Sequence, residues 1–135
     1  MKKIVIRFNA PVILAFALLS LLALLLGKWT DGAATYQYFS VYRASLSDPL
    51  TYVRFFGHVL GHADYEHYMG NMLLILLVGP GLEEKYGRGT MVWTIAVTAL
   101  VTGLVYFVFF PGSVLLGASG VVFMMIVLSS FTAMR

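Results

Sequence analysis

The sequence predicts an all-α membrane protein, a polytopic bundle of transmembrane helices forming a single domain over 1–135, and three observations carry that reading. Apolar residues make up 60% of the 135 and charged residues 11%, against roughly half and a quarter in soluble domains. The mean hydropathy is +0.87. The charges stand between long uncharged runs instead of being spread along the chain. A small globule buries only about two-thirds of its surface, so this much apolar surface excludes a soluble enzyme, a nucleic-acid module and a disordered tail. With no cysteine in the chain, a disulfide framework, a thiolate metal site and a cysteine nucleophile are excluded as well.

The first span is expected over 10–26, where Ala10 to Leu26 carries no charge, a run just long enough for a hydrocarbon core of about 30 Å. A secretory signal shares its basic start and leucine-rich core, but the following Gly27-Lys28-Trp29-Thr30 offers no small-x-small cleavage site. The second span is expected over 64–82. Its apolar part, Tyr68 to Leu82, is short and must borrow polar residues at its start. From Thr90 to Met134 there is no charge at all, too long a run for one helix and enough for two. Phe110-Pro111-Gly112 lies near its middle, and a Pro-Gly pair breaks regular structure, which gives spans over 90–109 and 116–134. The outer loop, 27–61, is rich in Tyr, Phe and Trp, which suit a membrane interface; a loop that long without obvious structure is usually functional.

Lysine and arginine set the expected orientation. With the amino terminus inside, Lys2, Lys3, Arg7, Lys85, Arg88 and Arg135 lie on the inner side and Lys28, Arg43 and Arg54 on the outer. That imbalance follows the positive-inside rule. Glu83, Glu84, Lys85 and Arg88 read most simply as a solvated inner loop, with Gly87 and Gly89 suiting the turn into the third span.

The informative stretch runs from Phe56 to Asn71. It holds all three histidines, His58, His62 and His67. His58 and His62 are four apart, as are His67 and Asn71, so on a helix each pair shares a face. Asn71 falls inside a span, where a buried amide needs partners. Interfacial anchoring, a metal site built on His-x3-His and a functional polar cluster facing a water-filled cavity all compete here. Metal is the weakest reading, because no third ligand is well placed and Asp64 and Glu66 point to other helix faces. Gly117-Ala118-Ser119-Gly120 opens the fourth span. A serine at a helix start sits beside unpaired backbone amides whose dipole favours negative charge, useful where an oxyanion forms. A seam of small residues for close helix packing is the competing reading. Gly57 and Gly61 form a Gly-x3-Gly pattern to which no oligomeric meaning is attached.

Taken together these features resemble the rhomboid family of intramembrane serine proteases. His58, His62, His67 and Asn71 fill the pattern His-x3-His-x4-His-x3-Asn at the second span, and Gly117 to Gly120 fill Gly-x-Ser-Gly at the fourth. Glu83 followed by Gly87 matches a glutamate and glycine near the inner end of span two. Arg54 matches an arginine before the histidines, although the aromatic that usually precedes it is Val53 here. The resemblance covers about Ser47 to the end and implies a six-span, rhomboid-like bundle, of which four spans are present.

That resemblance implies Ser119 as nucleophile, with His67, Asn71 and the Ser119 amide stabilising the oxyanion and Gly117 and Gly120 shaping the site's backbone. It implies structural roles for His58, His62, Arg54 and Glu83, with His62 hydrogen-bonding across the outer loop. Phe123, one turn past Ser119, takes a place where a tyrosine often packs on the catalytic histidine. Serine needs a base, and the resemblance puts that histidine on a sixth span. Spans five and six are then expected to lie outside these 135 residues, which alone should be inert. No cofactor and no metal is expected. The expected partners are transmembrane protein substrates and the lipid bilayer, with no nucleic acid; localisation is integral to the membrane, a short cytoplasmic start suiting a bacterial plasma membrane. A catalytically inactive rhomboid-like protein that binds membrane clients is the alternative, and a histidine-based metal-binding or transport protein is a third.

Overall fold

The computed structural model describes residues 9–133. In order, its helices are α1 (Pro11–Trp29), α2 (Ala33–Tyr38), α3 (Pro49–Gly57), α4 (Tyr65–Tyr86), α5 (Arg88–Phe109) and α6 (Ser119–Ala133). Two of them, α1 and α5, are long and apolar enough to cross a membrane. The 22-residue α4 is long enough but carries Glu66, Glu83, Glu84 and Lys85, while α6 is apolar and shorter. Lys2, Lys3, Arg7 and Arg135, which weighed in the expected orientation, lie outside the described residues, as does the expected end of the fourth span at residue 134.

Sequence explains where each element starts and stops. Pro11 opens α1 and Pro49 opens α3, positions where proline's missing N–H costs nothing. Asp48 caps α3 by accepting from the Leu50 amide at 3.0 Å. After α1, Thr30 Oγ1 donates to the Leu26 carbonyl and accepts from the Ala34 amide, closing one helix and starting the next. Gly87, at φ +90°, turns the chain from α4 directly into α5, and Pro111-Gly112 breaks the long uncharged run as expected from its composition.

Helix α4 packs against α1, α5 and α6. Its buried residues Tyr68, Met72, Ile75, Gly79 and Leu82 recur every three or four positions, one continuous stripe. In lipid that stripe gains little from hydrophobicity, since acyl chains are equally apolar; close packing and interhelical hydrogen bonds hold such helices together. Both occur. A Cβ on Gly79 would stand 2.7 Å from the Ile13 side chain of α1 and force it to shift, so glycine lets the two helices approach closely. Tyr68 Oη donates to the Ala17 carbonyl at 2.8 Å, and Tyr86 Oη pairs with Thr132 Oγ1 at 2.6 Å.

Two expectations change. Glu83 is not in a solvated loop. It is 3% exposed within α4, where its carboxylate accepts from the amides of Val12 at 3.1 Å and Ile13 at 2.9 Å. The first turn of α1 has no cap of its own, and Glu83 supplies one from a distant segment. Second, the loop over 27–61 is structured, containing α2 and α3. Buried Arg54 ties them, donating from Nε to the Gln37 carbonyl at 2.8 Å and lying 4.6 Å above the Tyr42 ring. Arg43 donates to the Phe107 and Val108 carbonyls at 2.7 and 2.9 Å, satisfying the open end of α5. Gly57 and Gly61 serve intrachain contact, in keeping with the absence of an oligomeric reading: a Cβ on either would collide with the carbonyl oxygen of Tyr38 or Phe39.

Candidate active site

His58 and His62 do not share a helix face, because α3 ends at Gly57 and the chain turns between them. His58 Nε2 lies 2.8 Å from the Ala99 carbonyl of α5; facing an acceptor, it must carry the proton. Burial pushes this imidazole below its ordinary value, against the opposing pull of that carbonyl. The His58 carbonyl accepts from the Gly117 amide at 2.8 Å, so the same residue fixes the chain on both sides. Among the described residues, no group of three or more His, Cys, Asp or Glu side chains converges to hold a metal.

His62 joins three segments, instead of bonding across the outer loop as expected. Its Nε2 accepts from the Ala118 amide at 3.3 Å and from Asn71 Nδ2 at 3.1 Å. Two donors on one nitrogen require that nitrogen to be unprotonated, which makes His62 a neutral ring protonated at Nδ1. Burial lowers its pKa first of all, in keeping with the neutral form. Tyr68 meets the ring edge-on at 5.6 Å.

Asp64, which helical spacing sets on another face from the histidines, belongs to the site. It caps α4, accepting from the His67 amide at 2.9 Å and from His67 Nδ1 at 2.8 Å through the same oxygen. A carboxylate only accepts, so the proton sits on Nδ1 and Nε2 is left for whatever approaches. The signal was present in the sequence: an aspartate just before an amphipathic start is an N-cap, and an N-cap side chain reaches back over residue N3.

Gly117 has φ +118°, a conformation other residues adopt only with strain. It delivers Ser119 as the first residue of α6, exposed, beside amides that have no partner within their own helix. Gly120 carries no such demand, since a Cβ there would make only ordinary contact with Thr102 and Thr98. A cavity of about 560 Å³ collects His62, His67, Asn71, Gly117 and Ser119 along its walls. Phe123 is 69% exposed and packs on no histidine among the described residues. Nor does any of the three imidazoles hydrogen-bond to Ser119 there. Arg54 and Glu83 stand away from this cavity, one in the outer loop and the other at the far end of α4.

One cavity is thus lined by a serine at a helix start, an asparagine amide and two imidazoles. A family model described as the Rhomboid domain matches residues 49–135, which takes in every one of these site residues. No curated protein matches the sequence. The chain belongs to the rhomboid family, whose members are typically intramembrane serine proteases, with inactive homologues among them.

Proposed function

We propose that this chain belongs to an intramembrane serine endopeptidase with Ser119 as nucleophile. The observation that carries the reading is the shared cavity of Ser119, His67 and Asn71. Ser119 Oγ bonds to the carbonyl carbon of a substrate peptide while its proton passes to a base histidine supplied from outside residues 1–135, as the family resemblance implies. The carbonyl π pair becomes an oxyanion, met by the Asn71 amide, by the Nε2–H of a His67 ring protonated at both nitrogens and paired with Asp64, and by the backbone amides opening α6. Collapse expels the amine, which takes the proton back from the base; water then repeats the sequence and frees the acyl product. One donor aimed at such an oxygen is worth roughly 2.7–4 kcal/mol.

The substrates are transmembrane protein segments. A peptide bond must leave its helix before it is attacked, and in lipid that exposes backbone groups at a cost, so segments with small or helix-breaking residues are preferred. In this reading α1, α4, α5 and α6 all cross the bilayer, the amino terminus is cytoplasmic and the setting is a bacterial plasma membrane. The alternative, an inactive homologue that binds membrane clients, is favoured by one observation: no imidazole among the described residues reaches Ser119. Fluorophosphonate labelling of the full-length protein decides between them. Labelling that disappears in Ser119→Ala supports the protease, equal labelling of the variant overturns Ser119 as nucleophile, and no labelling with intact bound clients favours the inactive homologue.

A further inference from the structure

On another side of the bundle from Ser119, an apolar hollow of about 450 Å³ lies between the first halves of α1 and α5. Small residues give it room, Ala15 on α1 with Ala96 and Ala99 on α5, among larger apolar side chains such as Phe16 and Ile95. Phe56 and Leu60, just where α3 ends, close it at one end, and Arg88 stands at the other. Its depth follows from helix geometry. Arg88 to Ala99 rises roughly 16 Å at about 1.5 Å per residue, about half of a hydrocarbon core of roughly 30 Å. The His58 bond to the Ala99 carbonyl fixes the end of α3 at that mid-depth. The hollow therefore runs through one leaflet, from its polar boundary to the middle of the membrane.

We propose that this hollow is a phospholipid site, with one acyl chain between α1 and α5, its methyl end beneath Phe56 and Leu60, and its phosphate on Arg88. Two features select that occupant. Most of the walls belong to the two helices that are apolar and long enough to span, so the hollow opens to lipid. The guanidinium of Arg88 is exposed and, among the described residues, is in neither of the ion pairs found; its planar fork suits a phosphate. Bound there, the lipid would prop the end of α3, and through His58 the segment leading to His62.

The test uses the full-length protein in phosphatidylcholine vesicles doped with a phosphatidylglycerol carrying a diazirine at one acyl terminus. After photolysis, labelled peptides are mapped by mass spectrometry. Labelling is expected to concentrate on residues 56–60 and 96–100, and to fall several-fold in Ala96→Trp, which fills the hollow, and in Arg88→Gln, which removes the anchor without touching the packing. Leu77→Trp, on an exposed face of α4, leaves it unchanged. Labelling spread evenly over Leu73, Leu77 and the hollow, or insensitive to both variants, overturns the site. So does a hollow that never labels because a second copy or another segment of protein covers it.

Discussion

At one end of α4, Asp64 caps its own helix; at the other, Glu83 caps a different one. The two carboxylates do the same chemistry, accepting amide hydrogens that a helix start leaves open. Their settings differ completely. The Asp64 side chain is 46% exposed and also holds His67, beside the Ser119 cavity. Glu83 is 3% exposed and touches nothing of the site, but it joins α1 to α4. The contrast separates a polar group that serves positioning from one that serves assembly, in a medium where assembly depends on a few such bonds.

Removing Glu83 should do the most damage. Glu83→Ala leaves the Val12 and Ile13 amides unmet, and hydrogen bonds to a charged acceptor are each worth roughly 1.5–3 kcal/mol. A loss of about 3 kcal/mol is expected, read as a large fall in Tm in detergent, with Glu83→Gln recovering part of it. A Tm unchanged in Glu83→Ala would place α1 under the control of other contacts. Asn71→Ala should invert the pattern. Its cleavage rate in the full-length protein is expected to drop about 100-fold, one oxyanion donor's worth, with Tm nearly constant. If Asn71→Ala unfolds the protein while Glu83→Ala only slows it, the division between the two ends of α4 is wrong.

How far this division was legible depends on distance along the chain. The helices α1 and α5, the break at Pro111-Gly112 and the i,i+4 relation of His67 and Asn71 follow from local composition and period. The structure of 27–61 does not, because its helices are held by Arg54 on the Gln37 carbonyl and Arg43 on the end of α5, and side chains that bond to remote backbone leave no periodic trace. Glu83 is the sharpest case. Its local neighbours Glu84, Lys85 and Arg88 mark a solvated turn, and only the position of Pro11, some seventy residues earlier, makes it a buried cap. Spacing alone puts His58 and His62 on one helix face, because it cannot reveal that α3 ends at Gly57, ahead of both.

Acid should expose the same polar bridges. His58 and His62 are both neutral and held by burial below the ordinary 6.5, so the folded chain refuses protons that the unfolded chain takes up. Stability is therefore full above about pH 6.5 and declines as pH falls beneath it, by at most about 1.4 kcal/mol per histidine per pH unit. Thermal scans from pH 7.5 to 5 should show this slope, and His58→Asn should flatten part of it. A Tm that rises on acidification would contradict the neutral assignments.

The smallest expected effect belongs to Asp64, and it sharpens the comparison most, because the residue does two things through one oxygen. Asp64→Ala removes both the cap and the grip on His67. Asp64→Asn keeps an acceptor for the His67 amide and for Nδ1–H, and removes only the charge. If Asp64 serves positioning, the alanine variant should lower Tm slightly, far less than Glu83→Ala, and slow cleavage several-fold with KM little changed, since a loosened imidazole loses contacts made in the transition state. The asparagine variant should recover Tm and most of the rate. Equal losses of rate in both variants would assign the effect to the carboxylate's charge, and a Tm loss without any loss of rate would make Asp64 a cap alone, no different in kind from Glu83.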